Sequence, residues 1–324
     1  MTKPVISVKN LKVTFQTKRG RAVAVNNVSF ELQKGEILGL VGESGSGKSV
    51  TAKSIMRLLQ SPPAKVEGNV FLGDTDLLAI GEKEMRSYRG NRVTMIFQDP
   101  MVCLNPLFSI GNQLCEVVKL HQNCSKDECY SRVIDMLRTV GIPSPEVRFK
   151  QYPFELSGGM RQRVMIAMAL LCNPEVLIAD EPTTALDVTI EAQILDLLRK
   201  LNKEFNVSII LITHDLGVVA EMADTVAVMY TGSIVEKAPV RELFISPKHP
   251  YTQGLLNSIP KMKGNGKELE PIEGNVPSIY QLPTGCMFHT RCKHKKPICT
   301  QEVPPTITDQ KRYVKCWKYT DRWA

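Results

Sequence analysis

The sequence predicts an α/β fold in which helices cover both faces of a largely parallel sheet. The run Ile37–Val41 is wholly apolar, which is typical of a strand buried on both faces, and a glycine-rich loop follows it. Further along, segments with helical spacing alternate with short apolar runs, a pattern that favours parallel strands joined by helices. Hydrophobic residues make up 43% of the 324 residues and charged residues 23%, which excludes a disordered chain or a coiled-coil rod.

The first part of the chain is expected to combine an antiparallel region with the first buried strand. Alternating apolar residues predict strands before a turn at Lys34-Gly35, and Ser61-Pro62-Pro63 ends the helix that follows the glycine-rich loop. The expected strands are Ile6–Asn10, Lys12–Thr17, Val28–Glu31, Ile37–Val41 and Val66–Leu72, and the expected helix is Lys48–Leu59.

A helical insertion is expected next, before the α/β alternation resumes. Residues Asp99–Pro106 are loop-like, and Gly111–Leu137 is mostly helical, with Val133, Leu137 and Val140 spaced as one buried face. The elements expected around this insertion are strands Val93–Phe97, Val176–Ala179 and Val207–Thr213, the last of which closes the set, and helices Gly159–Leu171 and Ile190–Phe205.

A change in composition predicts a domain boundary near residue 236. After Lys237 the chain becomes rich in proline, glycine, lysine and cysteine. The expected division is a core with an antiparallel β subdomain (1–98 and 158–235), an inserted α-helical subdomain (99–157) and a C-terminal extension (236–324).

Hydropathy and charge bear on location and partners. The runs Val164–Leu171 and Val207–Ile212 fall far short of the roughly 20 apolar residues that span a bilayer. Met1–Asn10 shows no signal-peptide pattern, so we expect a cytoplasmic location. The net charge of +8 could indicate nucleic acid or acidic lipid as a partner. However, Gly285–Ala324 holds nine Lys and Arg against three Asp and Glu, so most of the excess is local to the tail.

The segment Gly42–Ser49 has the composition and position of a phosphate-binding loop. It reads Gly-Glu-Ser-Gly-Ser-Gly-Lys-Ser, follows an apolar strand and opens a helix. Backbone N–H groups at such a helix N-terminus bind phosphate oxygens, Lys48 would neutralise them, and Ser49 would ligate Mg²⁺. The sequence therefore predicts a P-loop NTPase core.

A pair of carboxylates supplies the expected partner of this loop. The buried strand Val176–Ala179 delivers Asp180 and Glu181 at its carboxyl end, where ligands sit in open α/β sheets. Asp180 would orient Mg²⁺ through water, and Glu181 would act as the general base that polarises the attacking water.

The run Leu156–Met160 points to a particular family. It reads Leu-Ser-Gly-Gly-Met, is followed by Arg161–Arg163, and resembles the signature motif of ABC-type ATPases, with methionine where glutamine is more usual. The resemblance implies that Ser157 and Gly159 complete the ATP site of an opposite subunit, so that ATP is sandwiched in a head-to-tail dimer.

Other segments resemble the remaining motifs of the family. Gln98 matches the Q-loop glutamine, whose amide reaches Mg²⁺ and the attacking water, and Ala185-Leu186-Asp187 matches the D-loop at the dimer interface. His214 matches the switch histidine that contacts the γ-phosphate. Phe15 resembles the aromatic residue that stacks on adenine, although a strand-face aromatic is an equally good interpretation.

Together, the phosphate-binding loop and the resemblance assign the predicted site. The catalytic residues are Lys48, Gln98, Glu181 and His214. The magnesium ligands are Ser49, Gln98 and Asp180. The nucleotide contacts are Phe15, Gly42, Ser44, Gly45, Ser46, Gly47, Lys48, Ser49, Val50, Ser157, Gly159 and Asp187.

The extension resembles the C-terminal region of ATP-binding subunits of oligopeptide and dipeptide importers. The resemblance rests on His249–Leu256, Ile259-Pro260 and Pro283–Cys286, and on the segment Phe97–Pro106. It implies an energy-coupling ATPase, peripheral to the cytoplasmic face of the membrane. The implied partners are a related but distinct second ATPase subunit, two membrane permeases and, indirectly, an extracytoplasmic solute-binding protein, with no nucleic acid. Import of another small solute such as a nickel chelate, or a non-transport ABC protein, stays an alternative.

Four of the nine cysteines lie in the tail. Cys286, Cys292, Cys299 and Cys316 are a set of thiols that can close a tetrahedral site for zinc or an iron–sulfur cluster. The peptide-importer resemblance implies a 4Fe-4S cluster ahead of Zn²⁺, and the basic tail either compensates its charge or is a solvated face. His289 and His294 are alternative ligands or surface residues. The remaining cysteines are expected to be core or surface thiols: Cys103, Cys115, Cys124, Cys129 and Cys172.

Overall fold

The computed structural model describes residues 3–99, 103–184, 186–258, 271–309 and 311–323. The chain divides into two compact units. The first unit comprises Met1–Ile6, Leu32–Glu36 and Leu72–Ile212, and the second comprises Ser7–Glu31, Ile37–Phe71 and Thr213–Ala324.

The described residues form strands and helices with the following bounds. The strands are β1 (Ile6–Thr17), β2 (Gly20–Leu32), β3 (Ile37–Val41), β4 (Ala64–Leu72), β5 (Thr75–Asp76), β6 (Val93–Ile96), β7 (Val176–Asp180), β8 (Ser208–Thr213), β9 (Thr225–Tyr230), β10 (Ser233–Pro239), β11 (Thr306–Asp309) and β12 (Arg312–Lys315). The helices are α1 (Lys48–Ile55), α2 (Glu82–Tyr88), α3 (Ile110–His121), α4 (Lys126–Thr139), α5 (Pro145–Arg148), α6 (Gly158–Leu170), α7 (Val188–Phe205), α8 (Leu216–Met222), α9 (Val240–Ile245), α10 (Pro250–Asn257) and α11 (Pro297–Gln301).

In the first unit, three neighbouring strands are parallel, as the sequence predicts. β7 lies between β6 and β8, with Val176 opposite both Val93 and Ser208. Every residue of β7 and β8 is buried, as expected for strands covered on both faces. The carboxyl ends of the two parallel strands therefore lie at the same edge, and the predicted carboxylates Asp180 and Glu181 lie at the end of β7.

The inserted segment of the first unit is helical, as predicted. The α4 helix begins with a capping box, in which Ser125 Oγ accepts from the Glu128 N–H and the Glu128 carboxylate accepts from the Ser125 N–H. Val133 and Leu137 of α4 are fully buried, as their spacing indicates. One expectation was wrong: Cys124 and Cys129 are joined in a disulfide, because the start of α4 brings their Cα atoms to 6.1 Å.

The second unit contains a small sheet in which β1 lies between β2 and β4. The prediction of two strands, Ile6–Asn10 and Lys12–Thr17, was wrong, since β1 runs through both. Asn10 adopts φ 51°, a conformation that asparagine tolerates better than most residues, so the strand continues past it.

The other strands of the second unit are hydrogen-bonded neighbours in the order β11-β12-β10-β9-β3. β3 pairs in parallel with β9, whereas β9, β10, β12 and β11 are antiparallel neighbours. The expectation that Val207–Thr213 closes the set of strands was therefore wrong. Residue 236 lies within β10, and β12 of the tail pairs with β10 beside this residue. The three-part division of the chain stays a prediction.

The apolar core of this unit joins β3 and β9 to the extension. Tyr230, Tyr251 and Phe288 are buried in one cluster with Val41, and their rings lie 4.6 to 5.4 Å apart. Among the residues that the structure describes, no helix is both long enough and apolar enough to span a membrane.

Candidate functional site

The phosphate-binding loop of the second unit connects β3 to α1. Gly42 and Gly47 adopt φ values of 153° and 101°, and a Cβ at these positions would lie 2.2 Å from the Met229 carbonyl oxygen and 2.5 Å from the Ala24 carbonyl oxygen. Only glycine fits both positions, because the backbone approaches its neighbours too closely for any side chain. The loop conformation therefore depends on the two glycines at its ends.

The chemistry of the loop fits a bound phosphate. Lys48 is 6% exposed, and its ammonium donates to the carbonyls of Gly42 at 2.7 Å and Glu43 at 3.1 Å. Within the part of the chain that the structure describes, the buried Ser46 hydroxyl has no hydrogen-bond partner. The first turn of α1, fully described, contains no acidic residue and no side-chain cap. A phosphate would meet a cation, a hydroxyl and helix N-terminal amides there.

The predicted general base lies in the first unit, just past β7. Asp180 is 4% exposed at the end of that strand, and Glu181 follows it with φ 47°. The Gln98 side-chain amide donates to Glu181 Oε2 at 2.9 Å, and the Thr184 hydroxyl donates to the same oxygen at 3.1 Å. A left-handed conformation at a glutamate is uncommon and is typical of functional sites. The structure thus brings Gln98 and Glu181 together.

The signature segment of the first unit begins α6. Ser157 is its N-cap, and the Ser157 hydroxyl accepts from the Met160 N–H. A Cβ on Gly159 would lie 2.8 Å from Ile190 Cγ2 on α7, so the glycine permits this close packing. Asp187 caps α7 by accepting from the Ile190 N–H at 2.9 Å, which gives it a local structural role.

The remaining predicted residues are distributed between the units. His214 is exposed in the second unit immediately after β8, and Phe15 is half-buried on β1. The adenine-stacking role of Phe15 stays a prediction. Several residues of the quoted motifs lie outside the described residues: Pro100, Met101, Val102, Ala185, Ile259 and Pro260.

The four tail cysteines line one cavity of the second unit. The cavity is also lined by His249, His289 and His294. Burial, with a smaller contribution from the neighbouring thiols, raises the pKa of Cys286 to about 12 and of Cys316 to about 11. No group of three or more His, Cys, Asp or Glu side chains is arranged to hold a metal ion in the described part of the chain.

Sequence reasoning missed two residues of the site. Thr184 donates a hydrogen bond to Glu181 and follows it by only three positions in the sequence. A hydroxyl residue so close to the predicted base is a signal from which Thr184 could have been predicted. Glu43 lies inside the phosphate-binding loop, but the partners of its N–H and of its carboxylate come from the extension and leave no local signal in the sequence.

Comparisons with known proteins agree with these motifs. A family model described as ABC transporter matches residues 25–184, and one described as oligopeptide/dipeptide transporter, C-terminal region, matches residues 235–299. The dipeptide transport ATP-binding protein DppD of Bacillus subtilis (strain 168) is 51% identical over 320 residues, which cover 98% of this chain and 96% of that protein. The chain belongs to the ABC transporter family of ATP-binding proteins.

Further relatives of this ABC ATP-binding chain extend the likeness. The oligopeptide transport ATP-binding protein OppD of Salmonella typhimurium (strain LT2) is 49% identical over 313 residues, which cover 97% of this chain and 93% of that protein. The solved dimeric structure of MJ0796, a bacterial ABC transporter cassette, superposes with a TM-score of 0.65 at 28% identity, and the match covers 73% of this chain and 99% of that one. The predicted P-loop ABC ATPase fold is confirmed.

Proposed function

We propose that the chain is the ATP-hydrolysing, energy-coupling subunit of an ABC importer for dipeptides or oligopeptides. The observation that carries the proposal is identity of about 50% over nearly the whole chain to dipeptide and oligopeptide transport ATP-binding proteins, with a family match that includes the extension. ATP hydrolysis is the activity expected of the ABC family. The transported peptide is not contacted by this subunit in the proposal, so its length and side chains are determined elsewhere.

In the proposed reaction, Lys48 and the loop amides bind the phosphates and Glu181 accepts the proton of the attacking water. The hydrogen bonds from Gln98 and Thr184 support this role, because they hold the Glu181 carboxylate in one orientation. Ser49, Gln98 and Asp180 stay predictions as ligands of Mg²⁺, and hydroxyl, amide and carboxylate oxygens are donors that this ion prefers. Bound Mg²⁺ would supply neutralisation of phosphate charge. His214, Ser157 and Gly159 stay predictions as nucleotide contacts.

Two substitutions with matched controls test these roles. Glu181→Gln should retain nucleotide binding and lose ATP hydrolysis, while Glu204→Gln on the exposed side of α7 should leave both unchanged. Lys48→Ala should lose nucleotide binding, whereas Lys53→Ala, which removes an exposed lysine of the same helix, should not. Wild-type hydrolysis by the Glu181→Gln protein would refute the assigned base.

Transport itself is tested in cells that lack this chain. Uptake of a labelled dipeptide or oligopeptide should return with the wild-type chain and not with Glu181→Gln. Membrane permeases and a second ATPase subunit should co-purify with the chain from the cytoplasmic face of the membrane. Recovery of ribosomes or DNA without permeases would contradict the proposal, and restored nickel-chelate uptake without peptide uptake would identify the other importer class.

We further propose that Cys286, Cys292, Cys299 and Cys316 bind a 4Fe-4S cluster. The support is their thiolate chemistry and the cavity that they share, although their side chains as they stand do not form a ligand group. Iron and acid-labile sulfide in a stoichiometric ratio, measured after anaerobic purification, would support the cluster. Stoichiometric zinc without sulfide would refute it in favour of a zinc site.

A further inference from the structure

The extension contacts the phosphate-binding loop at its second residue. The backbone N–H of Glu43 donates to the phenol oxygen of Tyr251 at 2.9 Å, and Tyr251 is fully buried in α10. The Glu43 carboxylate accepts from Arg291 Nη1 at 2.8 Å, and the Arg291 side chain is only 6% exposed. Both the backbone and the side chain of Glu43 are therefore held by residues of the extension.

Arg291 is itself fixed on three sides. Its Nε and Nη2 donate to the carbonyls of Glu273 and Ile272, each at 3.1 Å, and its guanidinium lies 5.9 Å from the centre of the Tyr230 ring. All three guanidinium nitrogens thus have hydrogen-bond acceptors in one rigid plane. An arginine held in this way can fix the position of the carboxylate that it binds.

The same residue of the loop also binds the predicted phosphate ligand. The Lys48 ammonium donates to the Glu43 carbonyl at 3.1 Å, so Glu43 lies between the extension on one side and Lys48 on the other. Glu43 carries a negative charge in a loop that has to accept anionic phosphates. Pairing with Arg291 compensates that charge, and without the arginine the carboxylate would repel the nucleotide.

We infer that Tyr251 and Arg291 are positioning residues for ATP binding, which act through Glu43 by holding the phosphate-binding loop and by neutralising its one carboxylate. This inference rests on the proposed ATP binding. It makes the nucleotide affinity of the loop depend on the extension, a dependence that the loop motif alone does not contain.

The test measures the dissociation constant of a fluorescent ATP analogue for the full-length chain at low and high salt. Tyr251→Phe keeps the buried ring and removes only the hydroxyl, and Arg291→Gln removes the charge. Each should raise the dissociation constant by roughly three- to tenfold, more at low salt for Arg291→Gln. Adding Glu43→Gln to Arg291→Gln should restore most of the affinity, because the uncompensated charge is then absent.

Matched controls separate positioning from loss of folding. Tyr313→Phe removes a hydroxyl that donates from the extension to the Ser29 carbonyl, and Arg322→Gln breaks a surface pair with Glu302. Both should bind the analogue as the wild-type chain does, with all variants compared by their unfolding temperatures.

Three outcomes would overturn the inference. They are unchanged affinity in both folded test variants, an equal loss of affinity in the controls, and additive effects of Arg291→Gln and Glu43→Gln without recovery. Should Arg291→Gln fail to fold, Arg291→Lys replaces it, because lysine retains the positive charge. Arg291→Lys is expected to keep most of the affinity. A loss of affinity in Arg291→Lys as large as that in Tyr251→Phe would refute the electrostatic part of the inference. A wild-type chain that does not bind the analogue would instead refute the proposed ATP binding.

Discussion

Removing the arginine of a buried ion pair should destabilise the extension by several kcal/mol. Glu236 of β10 is completely buried, and its carboxylate accepts from Arg312 Nη2 at 2.5 Å and from the backbone N–H groups of Lys248 and His249 at 2.9 and 2.8 Å. In Arg312→Met the two backbone donors remain, but the carboxylate loses the cationic partner that Arg312 supplies.

The magnitude follows from this geometry. Breaking one side of a buried ion pair costs about 3–5 kcal/mol, because the remaining charge stays uncompensated in a low-dielectric site. Since two hydrogen bonds to the Glu236 carboxylate survive, we expect the lower end of this range, about 3 kcal/mol. Arg241→Met, at an exposed position of α9, should change the free energy of unfolding by less than about 0.5 kcal/mol.

The assay uses urea unfolding followed by tryptophan fluorescence. The only two tryptophans of the chain, Trp317 and Trp323, both lie in the extension, so their signal reports this region. The midpoint for Arg312→Met should fall clearly below those of the wild-type and Arg241→Met chains. A loss of stability within about 1 kcal/mol of the control would refute the reasoning, because it would show that Glu236 does not need a cation.

Three further predictions concern single side chains. Burial lowers the pKa of His249 to about 3, and its Nδ1 accepts from the Tyr251 N–H. Because the unfolded imidazole binds a proton below about pH 6.5 and the native one does not, the free energy of unfolding should fall by up to about 1.4 kcal/mol for each unit by which the pH is lowered from about 6.5 to about 3. In urea titrations at several pH values, His249→Asn should remove this part of the pH dependence. Gly111→Ala should cost about 1–3 kcal/mol in thermal unfolding, because its Cβ would lie 2.3 Å from Phe149 ring carbons. Ser125→Ala should cost about 1 kcal/mol by the same measurement, since it removes the cap of α4.

Each of these predictions has a matched control in the same unit. His294→Asn, at an exposed histidine, should leave the pH dependence of stability unchanged, and an equal effect of both substitutions would contradict the role of His249. Gly81→Ala meets no atom within 4 Å and should be tolerated, unlike Gly111→Ala. Ser131→Ala lies inside α4, so a loss as large as that of Ser125→Ala would show that capping is not the cause.

Local patterns predicted the buried parallel strands well and the rest less well. β3, β7 and β8 were predicted to within one residue, because each is an apolar run that ends at a polar or glycine residue. β9 and β10 were missed, although Thr225–Tyr230 is mostly apolar, since a short apolar run does not by itself distinguish strand from helix. What makes β10 a strand is its pairing with β9 and with β12, and β12 lies more than 70 residues away.

The candidate site divides in the same way. The loop glycines, Lys48, Asp180 and Glu181 are recognisable because the chemistry that each serves requires fixed spacing along the chain. The contact between Glu43 and Arg291 joins residues 248 positions apart, and neither residue type is unusual in its own surroundings. Such a pair has no local pattern, so only the folded chain reveals it.

The first turn of α10 explains why buried polar groups accumulate in the extension. The Glu236 carboxylate binds the N–H groups of Lys248 and His249 just before the helix, the His249 imidazole binds the Tyr251 N–H, and the Tyr251 hydroxyl binds Glu43. Each polar group in this series forms a hydrogen bond with the next. Replacing any of these side chains with an apolar one would leave a buried donor or acceptor unpaired. Apolar packing alone would bury this turn equally well but would not fix its direction. The hydrogen bonds fix the direction in which Tyr251 meets the phosphate-binding loop, which is the geometry that nucleotide binding requires.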